Sequence, residues 1–124
     1  MISKQLIWIA ICIYHEARNQ PEEGQIAVGH VILNRAEKRS MTAKEIILQP
    51  SQFSWANDGA RPAIKDYASL EKSCEMAERC LSERTEGKNF FGADHYFADS
   101  ISMPSWAKKM RLIKKVGNHS FFKA

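Results

Sequence analysis

The sequence predicts a mainly helical α+β fold in which a small β element packs beside a helical body. Apolar residues recur with helical spacing before Gly87, and short runs of aromatic and β-branched residues follow it. The chain has 124 residues, so we expect residues 1–124 to form one domain, because two would each bury a poor core. A composition of 44% apolar and 26% charged residues excludes disordered, collagen-like and coiled-coil chains.

The first predicted helix begins after Ser3, which can cap it, and runs to about Arg18. Its apolar run, residues 6–14, suggests burial on nearly all sides. The run is too short to span a bilayer, and no pair of small residues follows it where a signal peptide would be cleaved. We therefore prefer a buried helix to a signal peptide.

Two further helices are predicted from their start signals. Residues 19–23 combine Asn19 as a cap with an early proline and two acids, and they open a helix that runs to about Arg39. A capping box at residues 42–45 opens a short third helix, residues 43–48, which ends before Pro50.

Residues 49–63 are predicted to form a loop, because they contain two prolines and an Asn-Asp-Gly turn sequence. A loop of this length in a small domain is usually functional, and this one carries Phe53 and Trp55.

The fourth predicted helix follows the loop. Its core-facing stripe repeats at helical spacing over Tyr67, Leu70, Cys74, Ala77 and Leu81. We assign no functional site to it.

The β element is predicted within residues 89–98 and 111–122, which are rich in aromatic and branched residues. Gly117 and Asn118 lie between two short runs, as the turn of a β-hairpin would.

The positive charge is concentrated near the C-terminus. Residues 103–124 hold six of the 18 Lys and Arg residues and none of the 14 Asp and Glu residues, so the segment carries +6 and the remainder −2. Such a segment favours an anionic partner, whether envelope polymer, lipid headgroup or nucleic acid, and a solvated face is the alternative. We call residues 103–124 the basic segment.

The three cysteines are Cys12, Cys74 and Cys80, with no CxxC pair. Cys74 and Cys80 are predicted to point to different faces of one helix, so we expect free thiols and a reducing compartment. Cys12 falls inside the first apolar run, where burial disfavours a thiolate, and it is interpreted as a core residue.

Glu16 is the strongest candidate for chemistry. It lies at the C-terminal end of an apolar helix, where both burial and the helix dipole disfavour a carboxylate and raise its pKa. A carboxyl that holds its proton near neutrality is what a general acid needs. The alternative is an ordinary exposed Glu paired with Arg18.

Other chemistries lack their sequence patterns. The segment at His15 has no second histidine of an HExxH motif, and His30, His95 and His119 show no paired ligand spacing. No Gly-rich phosphate loop and no GxSxG elbow is present. We expect neither a metal nor a cofactor.

Aromatic rings outside the helical stripes form the second signal, since such rings can stack on sugar faces. Together with Gln49, Gln52 and Asn57 they suggest a polar and aromatic cleft suited to a glycan, although each ring has a core role as its alternative. The rings are Phe53, Trp55, Phe90, Phe91, Tyr96, Phe97 and Trp106.

Five blocks in order resemble the cell-wall hydrolase family of the spore-cortex lytic enzymes, a catalytic domain that also occurs in bacteriophage lysis proteins. The resemblance covers about residues 5–123, and its most specific part is Tyr-x-Glu-Ala-Arg followed closely by Val-Ile-Leu-Asn-Arg. The blocks are residues 13–18, 24–35, 52–55, 95–97 and 117–122.

The resemblance implies a lysozyme-like, lytic-transglycosylase-like fold that cleaves peptidoglycan between N-acetylmuramic acid and N-acetylglucosamine. It places the catalytic glutamate at Glu16. The residues expected to bind the glycan are Gln52, Phe53, Trp55, His95, Tyr96 and His119, the last with a structural role as its alternative.

A single-acid mechanism is preferred, because the candidates for a second acid, Asp58, Asp94 and Asp99, match no family motif. Glu16 would protonate the glycosidic oxygen and then deprotonate the sugar's own 6-hydroxyl, leaving a 1,6-anhydro end. Hydrolysis by water remains open.

The expected setting is a monomeric, single-domain bacteriophage endolysin that waits in the host cytoplasm and then lyses the cell. Its partner would be peptidoglycan, with anionic envelope polymer at the basic segment and no nucleic acid. Two alternatives remain, a non-enzymatic wall- or nucleic-acid-binding module and a peptidoglycan amidase or peptidase.

Overall fold

Helices precede a three-stranded antiparallel sheet in the computed structural model, which describes residues 3–50, 52–57 and 63–124. The helices are α1 (Lys4–Ala17), α2 (Glu22–Arg39), α3 (Ala43–Leu48), α4 (Ser54–Asn57) and α5 (Tyr67–Thr85), and the strands are β1 (His95–Ala98), β2 (Arg111–Val116) and β3 (His119–Lys123). Short 3₁₀ turns lie at Phe90–Gly92 and Ser105–Lys109.

Helix α1 is the centre of the helical body and packs against α2, α3 and α5. The Ser3 hydroxyl accepts a hydrogen bond from the Leu6 amide at 3.1 Å, which confirms the predicted cap. The apolar run is buried at six of its nine positions, whereas Trp8 and Ile11 are half-buried and Ile7 is 44% exposed. Its last turn brings Glu16 beside the sheet.

Helix α2 begins at Glu22, with Pro21 rather than Asn19 in the capping position. The predicted cap is wrong: the Pro21 carbonyl accepts from the Gln25 amide at 3.1 Å, and Pro21 has no side-chain acceptor to cap the helix. The side-chain amide of Gln25 donates to the Gln20 carbonyl at 2.9 Å and ties this end to the preceding connection. The helix ends at Arg39, as predicted.

Helix α3 and its reciprocal capping box between Thr42 and Glu45 are confirmed, with hydrogen bonds of 3.0 and 3.1 Å. The loop predicted for residues 49–63 is interrupted by the helical turn α4. The turn forms because Phe53 is buried in the core and its carbonyl accepts from the Ala56 amide at 3.1 Å.

Helix α5 is confirmed, and its predicted stripe is correct in part: Ala77 is buried, and Cys74 and Leu81 pack against the core. Tyr67 is 74% exposed. The buried face is centred about one residue away, at Ser73, Met76, Ala77 and Cys80.

Close approach to α2 explains the shift. A Cβ on Gly29 would lie 2.8 Å from the Cys80 sulfur, so glycine lets Cys80 pack against α2. Ser73 tolerates burial because its hydroxyl donates to the Ser69 carbonyl at 2.9 Å.

The sheet has the strand order β1-β3-β2, and the predicted hairpin joins β2 to β3. Gly117 has φ of +58°, a conformation that favours glycine in this turn. The Asn118 amide donates to the Gln20 side-chain oxygen at 2.8 Å, which ties the turn to the α1–α2 connection.

All three cysteines are free, as expected. Cys12 is a core residue, and burial raises the pKa of its thiol. Among the residues described, no helix is both long and apolar enough to cross a bilayer.

Candidate active site

Glu16 is half-buried at the junction of α1 with the sheet. Burial raises the pKa of its carboxyl, and this effect outweighs the hydrogen bond from Tyr96, the nearby indole of Trp55 and the charge of Arg35, which favour the carboxylate. The predicted dry environment is therefore confirmed. A raised pKa keeps the carboxyl protonated to higher pH, as a general acid requires.

The alternative of an exposed Glu16 paired with Arg18 is wrong. The Arg18 guanidinium donates to the Tyr14 carbonyl at 3.1 Å and lies over the Tyr14 ring, 4.7 Å from its centroid. This contact turns the cation back along α1 and away from the carboxyl.

Tyr96 donates a hydrogen bond from its hydroxyl to Oε1 of Glu16. Burial, and then the neighbouring Glu16, raise the pKa of the phenol well above its ordinary value, so it remains a donor. His119 and Phe121 hold the ring at centroid distances of 5.3 and 5.6 Å. Because Oε1 accepts from Tyr96, the acidic proton of Glu16 resides on Oε2.

Trp55 stacks on His15, with ring centroids 4.6 Å apart. Its Nε1 is buried and meets no acceptor at hydrogen-bonding geometry among the described residues, although it is near enough to Glu16 to favour the carboxylate. The indole is therefore a donor available when Glu16 becomes an anion. Burial, and then Arg18, lower the pKa of His15 and favour a neutral ring.

Glu16 lines two cavities, which we call together the groove. The first cavity, of about 330 Å³, is lined by Glu16, Arg35, Arg39, Gln52, Phe53, His95, Tyr96 and Trp106. The second, of about 560 Å³, is lined by residues 15–20, 98–100, 118 and 119. Five of the six residues predicted to bind the glycan converge here, with Gln52, Phe53, His95 and Tyr96 in the first cavity and His119 in the second. Trp55 is not a lining residue of either cavity.

Arg35 is a functional candidate that the motif analysis did not single out. Its Nε donates to the Asp94 carbonyl at 2.7 Å, and its Nη1 donates to the Gln52 side-chain oxygen at 3.2 Å. It therefore ties α2 to the entry of β1 and to Gln52. The available signal was the arginine that ends the Val-Ile-Leu-Asn-Arg block, in a segment, residues 26–36, whose other polar residues are His30 and Asn34.

Asp94 is a buried acceptor for three donors: His95 Nδ1 at 3.0 Å, the Ala124 amide at 2.9 Å and Lys38 Nζ at 3.2 Å. Burial alone would raise its pKa, but these bonds hold the pKa below its ordinary value. Asp94 is therefore a structural anion that orients His95.

Asp99 lines the second cavity with Glu16. A hydrogen bond and ion pair with Lys115, at 2.8 Å, lower its pKa. Among the described candidates for a second acid, Asp99 is therefore the one that lies on the groove. Asp58 lies outside the described residues.

His119 packs edge-on to Tyr96 and has a buried Nδ1 with no partner among the described residues. Burial lowers its pKa, and the charge of Asp99 offsets only part of this effect. His119 therefore supports Tyr96 and also forms part of the groove wall.

The predicted aromatic cleft is larger than the observed one. Phe90 and Phe91 line a separate cavity beside Glu83 and Lys88. Phe97 stacks on Phe122, with centroids 5.6 Å apart, and is not a lining residue of either groove cavity.

The described ranges contain no cluster of three His, Cys, Asp or Glu side chains suited to a metal ion. The side chains at the groove offer one protonatable carboxyl, the phenol and indole donors, and two guanidinium groups.

Comparison with known proteins shows what the chain is similar to. The chain is 30% identical over 116 residues to a spore cortex-lytic enzyme of Halalkalibacterium halodurans, covering 91% of the chain and 33% of the relative. It is 31% identical over 118 residues to a spore cortex-lytic enzyme of Bacillus cereus, covering 93% and 42%. The chain thus spans between a third and a half of these relatives.

A solved structure, the catalytic domain of the germination-specific lytic transglycosylase SleB from Bacillus anthracis, has the same fold, with a TM-score of 0.71 and 29% identity. The match covers 98% of this chain and 97% of that domain, so the expected lytic-transglycosylase-like fold is confirmed. A sequence model of the family described as Cell Wall Hydrolase matches residues 19–122, beginning after Glu16. The chain therefore belongs to the cell wall hydrolase family.

Proposed function

We propose that this chain cleaves the glycan strand of peptidoglycan between N-acetylmuramic acid and N-acetylglucosamine, with Glu16 as the acid. The observation that carries the proposal is Glu16 itself, whose pKa is raised by burial and which lines both cavities of the groove. The similarity to a lytic transglycosylase catalytic domain supports the same reaction class.

In the first step, Glu16 transfers its proton from Oε2 to the glycosidic oxygen. The bond between that oxygen and C1 of the muramic residue breaks, and positive charge develops on the ring. Glu16 becomes a carboxylate, which Tyr96 stabilises through Oε1 and towards which the Trp55 indole can donate.

In the second step, the Glu16 carboxylate takes the proton of the sugar's own 6-hydroxyl while O6 bonds to C1. The products are a 1,6-anhydro ring and a protonated Glu16, so no water is consumed. Two features support this route over hydrolysis: Asp94 is held by three donors, and Asp99 is ion-paired. Hydrolysis, with water activated by Glu16 or Asp99, is the second candidate.

Mass spectrometry of digested peptidoglycan tests the proposal. Anhydro-muramic ends are expected. Reducing muramic ends would show hydrolysis instead, and free stem peptides would show an amidase or peptidase and contradict glycan cleavage. Binding without any products would favour the non-enzymatic module.

The proposed setting is lysis of a host cell by a monomeric enzyme, as the resemblance to phage lysis proteins implied. The relatives are named spore cortex-lytic enzymes, so spore cortex is the competing substrate. Parallel digestion of vegetative walls and isolated cortex decides between them, because a lysis enzyme must degrade the vegetative wall.

The basic segment is proposed to bring the enzyme to anionic envelope polymer. Lys114 and Lys115 are paired with Glu23 and Asp99, which leaves Lys108, Lys109, Arg111 and Lys123 exposed as the main positive surface. Such attraction weakens with salt. If the rate of wall lysis stayed constant as ionic strength rose, the basic segment would have no such role.

A further inference from the structure

We propose that Arg35 and Arg39 form a carboxylate-binding subsite in the first cavity of the groove. The ligand is an acidic substituent of muramic acid, either its lactyl carboxylate or a carboxylate of the attached peptide. The proposal rests on the glycan cleavage proposed above and specifies which chemical group of the substrate the groove recognises.

The first cavity carries an excess of positive charge. Arg35 and Arg39 both line it, and Glu16 is the only Asp or Glu among its described lining residues. Because burial raises the pKa of Glu16, the carboxyl offers little compensating charge while it holds its proton. An anionic ligand group is therefore favoured in this cavity.

Arg35 is a buried cation without a carboxylate partner. Arg35 is 9% exposed. Among the described residues, no carboxylate lies within 4.0 Å of its side-chain nitrogens. Its two hydrogen bonds are accepted by neutral oxygens, the backbone carbonyl of Asp94 and the side-chain amide oxygen of Gln52. A buried charge is costly unless it is compensated, so Arg35 is suited to an anion from outside the chain.

Arg39 follows Arg35 by one helical turn and adds a second positive charge. Burial lowers the pKa of Arg35, and the charge of Arg39 lowers it further. Arg39 also donates to a neutral partner, the side-chain oxygen of Gln49, at 2.6 Å. Two like charges four residues apart destabilise a helix. The planar guanidinium groups of the two arginines match the two oxygens of a carboxylate.

Arg35 also favours the carboxylate form of Glu16, so stabilising that anion is one role of the Arg35 charge within the chain. That role leaves Arg39 unexplained. An anion bound between the two guanidinium groups accounts for both.

Substrate chemistry limits what this anion is. In the proposed glycan, N-acetylglucosamine is neutral and the acidic groups are carried by the muramic residue. A subsite for carboxylate would therefore fix which sugar enters the first cavity, and with it the register of the strand at Glu16.

The test measures binding by calorimetry to Glu16→Gln protein, which retains the groove without turnover. Two ligands are acidic: a peptide-free muramic tetrasaccharide with free lactyl carboxylates, and the same glycan bearing peptides. Two more are these glycans after conversion of their carboxylates to amides. The fifth is neutral chitotetraose. Arg39→Gln is the test variant because Arg39 is exposed. Arg79→Gln is the control, since Arg79 is an exposed arginine of α5 that pairs with Glu22.

The acidic glycans are expected to bind about tenfold tighter than their amides, the scale of one hydrogen-bonded charge pair. Arg39→Gln should remove most of this preference and leave chitotetraose binding unchanged, whereas Arg79→Gln should leave the preference intact. If Arg39→Gln loses the preference for the acid with the peptide-free glycan, the bound group is the lactyl carboxylate. If it loses the preference only with the peptide-bearing glycan, the bound group is a carboxylate of the peptide.

Equal binding of acids and amides, or an equal loss for every ligand in Arg39→Gln, would overturn the subsite. Digestion by the chain with Glu16 intact tests the proposed function separately. Cleavage without any preference for acids rejects the subsite alone, whereas the absence of both cleavage and glycan binding rejects both proposals.

Discussion

The phenol of Tyr96 donates a hydrogen bond to Oε1 of Glu16 and thereby joins β1 to the last turn of α1 across 80 residues of sequence. The contact couples the position of the sheet to the state of the candidate acid. It also leaves Oε2 as the oxygen that can deliver a proton into the groove.

Glu16→Gln is expected to reduce peptidoglycan cleavage by about 10²-fold to 10⁴-fold, the usual contribution of general acid catalysis. The amide keeps the shape of the side chain but has no proton to transfer. Release of soluble glycan from purified walls measures activity, and circular dichroism checks the fold.

Glu23→Gln is the matched control for this change, because Glu23 is an exposed acid of α2 that pairs with Lys114 at 2.6 Å. It should retain activity. A folded Glu16→Gln protein with normal cleavage would exclude Glu16 as the acid.

Tyr96→Phe is expected to move the alkaline limb of the kcat/KM profile to higher pH. The lost hydrogen bond lowers the pKa of Glu16 in the native chain, so its removal lets Glu16 hold its proton longer. The maximal rate should fall, because the Glu16 anion loses a donor. Initial rates across pH check both effects, with Tyr67→Phe as an exposed control. An unshifted limb would show that another group sets it.

The local signals in the sequence predicted much of the fold. Caps, spacing and a Gly-Asn turn located α3, the end of α2 and the hairpin. The buried face of α5 was predicted about one residue away from its true centre, because that centre depends on a contact with another helix: Gly29 admits Cys80, and no periodicity within α5 contains that information.

The site was predicted in part. Burial at Glu16 followed from its place after an apolar run, and the family motifs indicated Gln52, Tyr96 and His119. Arg35 was missed because its importance arises from partners distant in sequence, such as the carbonyl of Asp94. The stacking of His15 on Trp55 was missed for the same reason.

Acidification is expected to destabilise the fold through His30. Its Nε2 lies 2.8 Å from Glu83 and its Nδ1 lies 3.5 Å from an Arg84 nitrogen, which together match the neutral ring. Burial lowers the pKa of His30 below its ordinary 6.5. The unfolded chain then binds the proton more readily, so the stabilisation is complete above about pH 6.5 and is lost as pH falls below it.

Urea unfolding between pH 7.5 and 5.5 measures this effect. The slope of the free energy of unfolding against pH is compared between the parent and His30→Gln. The Glu16→Gln background is used because a raised Glu16 pKa contributes with the opposite sign. His30→Gln should flatten the slope, although His15 and His119 retain part of it, since their pKa values are also lowered. An unchanged slope would exclude His30 as a contributor.

Gly117→Ala is expected to destabilise the fold and loosen the second cavity. At its φ of +58°, an added Cβ would lie 2.5 Å from Oε1 of Gln20 and 2.7 Å from Cδ of Pro21. The methyl group must displace the same Gln20 oxygen that accepts from the Asn118 amide. Crowding of this kind costs about 1–3 kcal/mol in addition to the backbone strain.

Gly87→Ala separates strain from crowding, because Gly87 also has a positive φ, of +82°, but its Cβ would meet no atom within 4 Å. It should cost about 1 kcal/mol from strain alone, and Gly117→Ala should cost more. Since Gln20 and Asn118 line the second cavity, Gly117→Ala should also raise the KM for glycan, and Gly87→Ala should not. Equal losses of stability in the two variants would mean that the hairpin turn is not held against Gln20.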